Sequence, residues 1–351
     1  MGSCGNKNEF TINGSIDMPE MNGKTVYLYN TDMTQEGPID SAITADGKFS
    51  FKGTVEEPWI AMVVNQEVGV MIPVVVEPGT IVVKNDSIGG TTLNDRLMAF
   101  SKSFDMSDIT SQMEEYIPLY YSAPNADERA AVEHMLDSLD AVGNARILEA
   151  NWKLYHENED NVLAIYSMQS IIRSGEFTFA EFDSIVKTAS PLVANHKSVQ
   201  DKLSQLKAID ATSAGKHYID IQGIDNKLSD LIDGKVALVD FYASWCGPCR
   251  NEIKDNLVPL WKKYEKKGLV IVGLNVWERG DAEARKAAHE KVMADLGITY
   301  PQLVDSTHTA TDTYGVNSIP QIMLIDKDGT ILARDLRGAD IEEAIINALG
   351  K

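Results

Sequence analysis

Residues 240–249, Asp-Phe-Tyr-Ala-Ser-Trp-Cys-Gly-Pro-Cys, place two thiols three positions apart at the end of an apolar run. Residues 236–242 are β-branched and aromatic, which is typical of a buried parallel strand. A Gly-Pro turn and a segment with helix-forming character, 250–267, follow. A helix N-terminus offers free N–H groups and the positive end of the helix dipole, which stabilise a thiolate, the form that attacks disulfides. The stretch therefore predicts a redox-active dithiol.

Zinc binding and a purely structural disulfide are the alternative roles for this pair. A closed structural zinc site usually needs four ligands. The third cysteine of the chain is Cys4, and none of the six histidines lies close to the pair in sequence. A structural disulfide would close a very short loop and add little stability. Redox chemistry is the favoured interpretation.

The motif Trp245-Cys-Gly-Pro-Cys249, the strand before it and the later stretch 316–326, which contains Ile319-Pro320, resemble the thioredoxin superfamily. The region from about Gly215 to Lys351 resembles its TlpA-like, envelope-facing branch of thiol–disulfide oxidoreductases. The resemblance implies an α/β thioredoxin-like C-terminal domain, with a central mixed sheet and flanking helices.

The resemblance also implies roles around the cysteines. In the family, the proline that corresponds to Pro320 is cis and lies beside them, and a cis X-Pro bond is an uncommon backbone feature. Trp245 is expected to cover the site, and Ile319 to offer backbone groups to a substrate segment. An ordinary loop proline that opens a strand is the alternative for Pro320.

The two cysteines are expected to act in order. Cys246 stands at the helix start, so it is the predicted nucleophile, with a pKa below the usual value of about 8.5. Cys249 is then the resolving thiol, which releases reduced substrate from the mixed disulfide. Asp240 stands where thioredoxin-like proteins place a buried acid; burial would raise its pKa and make it a proton acceptor from Cys249. The alternative is an aspartate that faces solvent. Gly247 and Pro248 resemble the dipeptide of reducing members.

Composition limits the partners. The chain has 351 residues, 44% hydrophobic and 24% charged, with a net charge of −20. This composition is typical of a folded globular protein, and no apolar run approaches the length of a membrane helix. The negative charge disfavours nucleic acid and anionic lipid surfaces. Residues 215–351 hold 17 Lys+Arg and 21 Asp+Glu, which leaves 15 and 31 for residues 1–214. The acidic excess therefore lies in the N-terminal part.

Residues 9–90 are predicted to form an antiparallel, sandwich-like β-module. Thr25–Tyr29 is strand-like, Asp46-Gly47 indicates a hairpin turn, and the segment 73–79 is expected to separate strands. This part resembles the β-rich domain of unknown function found ahead of thioredoxin domains in envelope lipoproteins.

Residues 91–210 show helical periodicity. Two apolar stripes are expected to be core; they comprise Leu93, Leu97, Phe100 and Phe104, and Val132, Met135, Leu139 and Val142. A capping box is expected at 178–181. The small and polar segment 211–215 is the predicted linker, and 211–351 the thioredoxin-like domain.

Within that last domain, strands are predicted at Leu269–Val276, Gln321–Ile325 and Thr330–Arg334, the last two joined at Asp328-Gly329. A connecting helix is expected within 280–296. The family commonly has proline five residues after the second cysteine. Here that position is Lys254 and a proline comes only at 259, so the helix under Cys249 is expected to kink later or to begin differently.

Cys4 has a separate interpretation. Met-Gly-Ser-Cys-Gly resembles the remnant of a lipobox, without the charged and apolar regions of a signal peptide. Residues 1–8 are expected to be a tether that holds the protein on a membrane without crossing it, through lipid attached at Cys4. An incidental cysteine is the alternative. The expected location is the periplasm or cell envelope.

Two classes of function remain open at this point. The first is an envelope thiol–disulfide oxidoreductase, with a reductase favoured, that needs no cofactor or metal and acts between a disulfide-containing protein substrate and an upstream electron donor. The second is a binding or chaperone-like module with a minor redox role. A thiol peroxidase is a weaker third option, because no extended peroxide-site motif accompanies the cysteines.

Overall fold

The computed structural model describes residues 8–31 and 37–350. Cys4 lies outside them. By compactness the chain divides into two units, Met1–Glu176 with Ile185–Gln200, and Phe177–Ser184 with Asp201–Lys351. The predicted segments 1–8, 9–90, 91–210 and 211–351 remain predictions. Among the described residues no helix is both long and apolar enough to span a membrane.

The first unit begins with a β-sandwich. Its strands are β1 (Glu9–Ser15), β2 (Thr25–Asn30), β3 (Asp40–Ile43), β4 (Lys48–Thr54), β5 (Trp59–Asn65), β6 (Val70–Val76), β7 (Gly79–Lys84) and β8 (Ser87–Gly89), with a 3₁₀ turn at Pro19–Met21. They form two sheets, ordered β4-β1-β7-β8 and β3-β2-β5-β6. Alternate side chains such as Ile12, Val26 and Ile81 are fully buried in one common core. The predicted β-module is confirmed, with one parallel pair, β1 with β7.

Two local predictions in this module were wrong. The chain does turn at Asp46-Gly47, where both residues have positive φ, but β3 and β4 on either side belong to different sheets. A single bridge, Ala45 with Lys48, replaces the expected hairpin ladder, because the turn carries the chain from one sheet to the other. Pro73 lies inside β6 and does not separate strands. Since β6 is an edge strand, a residue without an N–H is tolerated there.

The helices that follow are α1 (Thr92–Ser101), α2 (Ser107–Ser122), α3 (Ala126–Glu157), α4 (Val162–Ser174), α5 (Phe179–Thr188), α6 (Pro191–Ala194) and α7 (Lys197–Ala211). Leu93 and Leu97 are buried as expected. The stripe from Val132 to Val142 was wrong as a core, because Met135 is 46% and Val142 53% exposed. The buried residues of α3 begin only at Gly143, past the midpoint of the helix, so helical periodicity in its first half does not correspond to burial.

The predicted capping box is confirmed at the start of α5. Glu181 N–H donates to Thr178 Oγ1 at 3.2 Å, and Thr178 N–H donates to Glu181 Oε2 at 2.9 Å. The bonds to Thr178 lower the pKa of the Glu181 carboxyl. Both ends of the motif therefore satisfy free N–H groups.

The second unit contains a five-stranded mixed sheet ordered β11-β10-β9-β12-β13. Its further elements are α8 (Leu228–Ile232), β9 (Val236–Tyr242), α9 (Gly247–Glu252), α10 (Val258–Tyr264), β10 (Leu269–Asn275), α11 (Ala282–Leu296), β11 (Gln302–Val304), α12 (Thr309–Tyr314), β12 (Gln321–Ile325), β13 (Ile331–Ala333) and α13 (Ala339–Leu349). Strands β9, β10 and β11 are parallel, whereas β12 runs antiparallel to β9 and β13. The predicted strands and connecting helix are confirmed, and β9 and β10 are buried along their whole length.

The helix after Cys249 is irregular at the position where the family commonly has proline and this chain has Lys254. Between α9 and α10 the helix widens into a π-helical turn, Ile253–Leu257, and Val258 N–H donates to the Ile253 carbonyl, five residues back. Pro259, which has no N–H to donate, follows at once. A proline in a regular helix clashes with the carbonyl four residues before it, and a π-turn is one way to accommodate the change.

The segment 211–215, predicted as a small and polar linker, is bonded to the five-stranded sheet of the second unit. Thr212 is fully buried, its carbonyl accepts from Arg334 Nη1 at 3.1 Å, and Gly215 N–H donates to the Ile331 carbonyl at 2.8 Å. The sequence is small and polar because it turns tightly here, and it is anchored by these bonds.

Candidate active site

Cys246 and Cys249 lie where β9 passes into α9. Cys246 is the N-cap of α9 and forms a disulfide with Cys249, with an S–S distance of 2.04 Å. The Cys249 N–H donates to Cys246 Sγ at 3.2 Å. Cys249 is fully buried and Cys246 is 4% exposed. A thiolate at Cys246 would therefore lie at the free N–H groups of the helix, as the sequence predicted.

Ile319 and Pro320 lie beside the cysteines. The Ile319–Pro320 bond is cis, as expected, and the Ile319 carbonyl oxygen is 3.9 Å from Cys246 Sγ. Both residues are half-buried and directly precede β12. Ile319 is thus partly exposed next to the sulfur. The binding role of Ile319 and the role of Pro320 remain predictions.

Asp240 is buried in the middle of the sheet, so the solvent-facing alternative was wrong. It pairs in register with Gly273 on β10 and Ile322 on β12, and is 1% exposed. Within the described residues neither carboxylate oxygen has a hydrogen-bond partner. Burial and, to a smaller extent, the charge of Glu252 raise the pKa of Asp240 to about 8, and the charge of Arg337 acts in the opposite direction. Its part in proton transfer remains a prediction.

Glu252 is a residue that the sequence reasoning missed. It belongs to α9, one turn after Cys249, and its Oε1 accepts from Asn256 Nδ2 at 2.7 Å and from Gly338 N–H at 3.2 Å. The sequence could have indicated Glu252, because it follows the second cysteine by three residues and residues three apart on a helix share a face. The site therefore contains two acids, one buried and one partly exposed.

Two tyrosines share the buried environment of Asp240. The Tyr242 hydroxyl donates to Gln302 Oε1 at 2.7 Å, and the Tyr300 hydroxyl has no partner within the described residues. Burial, with the nearby charge of Asp240, raises the pKa of both phenols. They remain neutral under ordinary conditions, so Asp240 is the buried group that changes charge near neutral pH.

The outer face of the site is formed by residues next to Cys246. Trp245 is 43% exposed, and Gly247 and Pro248 are exposed as well. A Cβ added at Gly247 would meet no atom within 4 Å, so the surface beside the disulfide is open. Within the described residues no group of three or more His, Cys, Asp or Glu side chains could hold a metal ion.

The comparisons with known proteins agree with this geometry. Residues 205–334 match the AhpC/TSA family, and residues 10–97 match a domain of unknown function, DUF4369. The chain is 33% identical over 113 residues to the thiol-disulfide oxidoreductase ResA of Bacillus thuringiensis, covering 32% of this chain and 61% of that protein. It is 31% identical over 126 residues to ResA of Geobacillus thermodenitrificans, covering 35% of this chain and 67% of that protein.

A solution structure of a thiol:disulfide interchange protein from Bacteroides sp. is also similar, with 26% identity and a TM-score of 0.36, over 40% of this chain and 93% of that one. The AhpC/TSA match, residues 205–334, includes Cys246, Cys249 and the strands of the sheet that carries them. By its sequence, this chain belongs to the thiol–disulfide oxidoreductase family of ResA, with a DUF4369 domain ahead of the redox unit.

Proposed function

We propose that this protein is a thiol–disulfide oxidoreductase that reduces protein disulfides in the cell envelope through Cys246 and Cys249. One observation carries the proposal: Cys246 caps a helix beside the Ile319 carbonyl and is 4% exposed, while its partner Cys249 is fully buried. A first sulfur at a helix N-terminus, with the second buried behind it, suits thiol–disulfide exchange.

The reaction begins with both cysteines reduced. The Cys246 thiolate attacks one sulfur of a substrate disulfide, forms a mixed disulfide and releases the first substrate sulfur as a thiolate, which takes a proton from solvent. The Cys249 thiol then loses its proton, and its sulfur attacks Cys246 Sγ. The second substrate sulfur leaves as a thiolate, which takes a proton from solvent, and the enzyme retains the Cys246–Cys249 disulfide, the state of this structure.

Asp240 is the group that we propose accepts the Cys249 proton. At pH 7 a carboxyl with a pKa of about 8 is ionised in about a tenth of the molecules, and that carboxylate is basic enough to accept a proton from a thiol. Its burial excludes competing water. Two electrons have passed to the substrate in this cycle, so an upstream dithiol donor must reduce the disulfide before the next turnover.

Insulin reduction tests the proposal. The wild-type protein with a dithiol donor should reduce insulin, Cys246→Ser should abolish this activity, and the matched control Cys4→Ser should retain it. Equal activity in wild type and Cys246→Ser would refute the proposal and favour a binding module. The reduction potential gives the direction of electron flow: a value of roughly −270 mV marks a reductant and one of about −120 mV an oxidant.

We place the protein in the envelope with Cys4 as a lipid attachment point. The residues Gly2-Ser3-Cys4, a small residue before a cysteine, support this assignment. Radiolabelled palmitate supplied to cells that express the precursor should enter the wild-type protein and not Cys4→Ala. Equal labelling of both would refute attachment at Cys4.

A further inference from the structure

Ser244 and Trp245, which precede Cys246, are hydrogen-bonded to the segment 275–279 at the C-terminal end of β10. Ser244 N–H and Oγ donate to the two carboxylate oxygens of Glu278, each at 2.6 Å. Trp245 Nε1–H donates to the Trp277 carbonyl at 2.8 Å. The side chain of Glu278 is oriented in turn by Asn275 Nδ2 at 2.8 Å. Residues 275–279 thus fix the backbone of Ser244 and the ring of Trp245 together.

The backbone of this segment is strained where the bonds are made. Trp277 has a φ of 54°, in the left-handed region, which is rare for a bulky residue. Such a conformation is costly and persists only where the surroundings require it. Here the turn directs the Trp277 carbonyl and the Glu278 side chain to the same loop. This strain points to a function at the site.

Arg279 is the outermost residue of the segment. Its guanidinium carbon lies 4.3 Å from the centre of the Trp245 ring, in the range of a cation–π contact. The side chain is exposed. The two nearest acids in sequence are used elsewhere, since Glu278 accepts the bonds described above and Asp281 Oδ1 caps α11 through Ala284 N–H at 2.9 Å. Arg279 forms no salt bridge in residues 8–31 and 37–350.

A second arginine, Arg337, contacts the Ile319-Pro320 side of the site. Arg337 donates to the carbonyls of Pro320 and Leu336, and it too is exposed, without a salt bridge in the part of the chain that the structure describes. Pro320 is bonded to Ile319, whose carbonyl is 3.9 Å from Cys246 Sγ. Two positive charges that form no salt bridge among the described residues therefore lie within one residue of the groups that border the sulfur, although residues 215–351 are net negative.

From this arrangement we propose that Arg279 and Arg337 select substrates that carry acidic side chains beside their disulfide. The proposal rests on the proposed function and names its substrate class. An extended segment that pairs with Ile319 and lies along Trp245 would bring its flanking carboxylates to the two guanidiniums. Arginine suits this role because its planar group stacks on an aromatic ring while its N–H groups remain free for a carboxylate.

Two synthetic disulfide-linked peptides test the proposal. They are identical except that the glutamates flanking the cystine in one are glutamines in the other, and the ratio of their second-order reduction rates is the readout. Because each protein is measured with both peptides, the ratio of rates does not depend on differences in the intrinsic reactivity of Cys246 between variants. For the wild type at low salt we expect the acidic peptide to react roughly 3- to 10-fold faster, and the ratio to fall towards one in 0.5 M NaCl.

Variants assign the effect to the two arginines. Arg279→Gln and Arg337→Gln should each lower the ratio, and the double variant should bring it close to one. Arg279→Lys keeps the positive charge but not the planar group that stacks on Trp245, so it should retain part of the preference for the acidic peptide. Its retained activity would show that the site still folds. Lys286→Gln, which removes an exposed charge on α11 in the same unit, should leave the ratio unchanged.

Failure of this inference and failure of the proposed function would give different results. Equal wild-type rates on the two peptides, or an unchanged ratio in the double arginine variant, would overturn this inference and leave the proposed function intact. No cysteine-dependent reduction of either peptide, or of the neutral probe 2-hydroxyethyl disulfide, would overturn the proposed function itself.

Discussion

Glu252 and Asp240 interact although one lies on a helix and the other inside the sheet: the charge of Glu252 disfavours ionisation of Asp240 and raises its pKa. Glu252 lies on α9, one turn after Cys249, and Asp240 lies on β9, the strand that precedes this helix. Glu252 is partly exposed, whereas Asp240 is buried.

We expect Glu252→Gln to lower the pKa of Asp240 below its value of about 8, since the amide removes the repulsive charge and keeps an oxygen for Asn256 and Gly338. Carboxyl ¹³C chemical shifts followed over pH 4 to 10 would measure it in the oxidised protein. Glu283→Gln, an exposed change on α11, is the control. An unmoved titration of Asp240 in Glu252→Gln would contradict the interaction.

Asp240→Asn should become more stable than the wild type as pH rises. The pKa of Asp240 is about 8 in the folded protein and about 3.9 in an unfolded chain. Since the folded state holds the proton more tightly, the wild type loses stability as pH rises from about 4 to 8, and the loss levels off above. The uncharged amide avoids this loss, which is on the order of a few kcal/mol at pH 9.

Urea unfolding of the oxidised protein at pH 5, 7 and 9 measures the difference. Asp328→Asn provides the control. The backbone N–H of Thr330 lowers the pKa of Asp328, so this group is ionised across the whole range and its variant should differ from the wild type by a constant amount. A constant difference for Asp240→Asn as well would show that burial does not hold the proton there.

Asp240→Asn should also slow the resolution step more than the first attack. The amide cannot accept the proton of Cys249, whereas Cys246 is already activated by the helix N-terminus. Stopped-flow measurements with a mixed disulfide preformed at Cys246 separate the two steps near pH 7. Equal rates of resolution in wild type and variant would remove Asp240 from the mechanism.

Iodoacetamide at about pH 7 should label Cys246 before Cys249 in the reduced protein, because Cys246 caps the helix and Cys249 is fully buried. Mass spectrometry of timed digests gives the order, and Cys4→Ser removes the third thiol from the measurement. Earlier labelling of Cys249 would reverse the roles of nucleophile and resolving cysteine.

Gly273→Ala should destabilise the protein by about 1–3 kcal/mol, because a Cβ there would lie 2.5 Å from Gln302 Oε1 and displace the acceptor of the Tyr242 hydroxyl. In a Gln302→Ala background the added methyl should cost less, since its obstacle is gone. Thermal unfolding of the four proteins completes the cycle. Full additivity would show that the two side chains do not compete for the space.

The sequence predicted best what depends on neighbouring residues. The strand, turn and helix around Cys246, and the antiparallel pair β12–β13 around Asp328-Gly329, are set by local periodicity and turn chemistry. Asp46-Gly47 shows the limit: its turn formed, but the sheet that each flanking strand joins depends on partners far along the chain.

Some parts of the candidate site could likewise be predicted from the sequence, and others could not. The cysteines were found from their spacing at the junction of one strand and helix, and Asp240 from the resemblance to thioredoxin-like proteins. The bonds of Ser244 and Trp245 to residues 277–278 were not, because they join segments more than thirty positions apart and carry no periodic signal. The arginine on Trp245 is likewise visible only once β10 has been placed beside β9.

The interleaving of the two compact units limits how this protein can be dissected. Residues 177–184 and 201–210 belong with the redox sheet, whereas 185–200 belong with the first unit. A fragment cut at residue 211 would lose Phe182, which is fully buried, and Gln205, whose Nε2 donates to the Gly315 carbonyl at 3.3 Å. No single cleavage yields both units complete, so a truncated redox fragment is expected to be less stable than its sequence suggests, and comparisons of activity should use the whole chain.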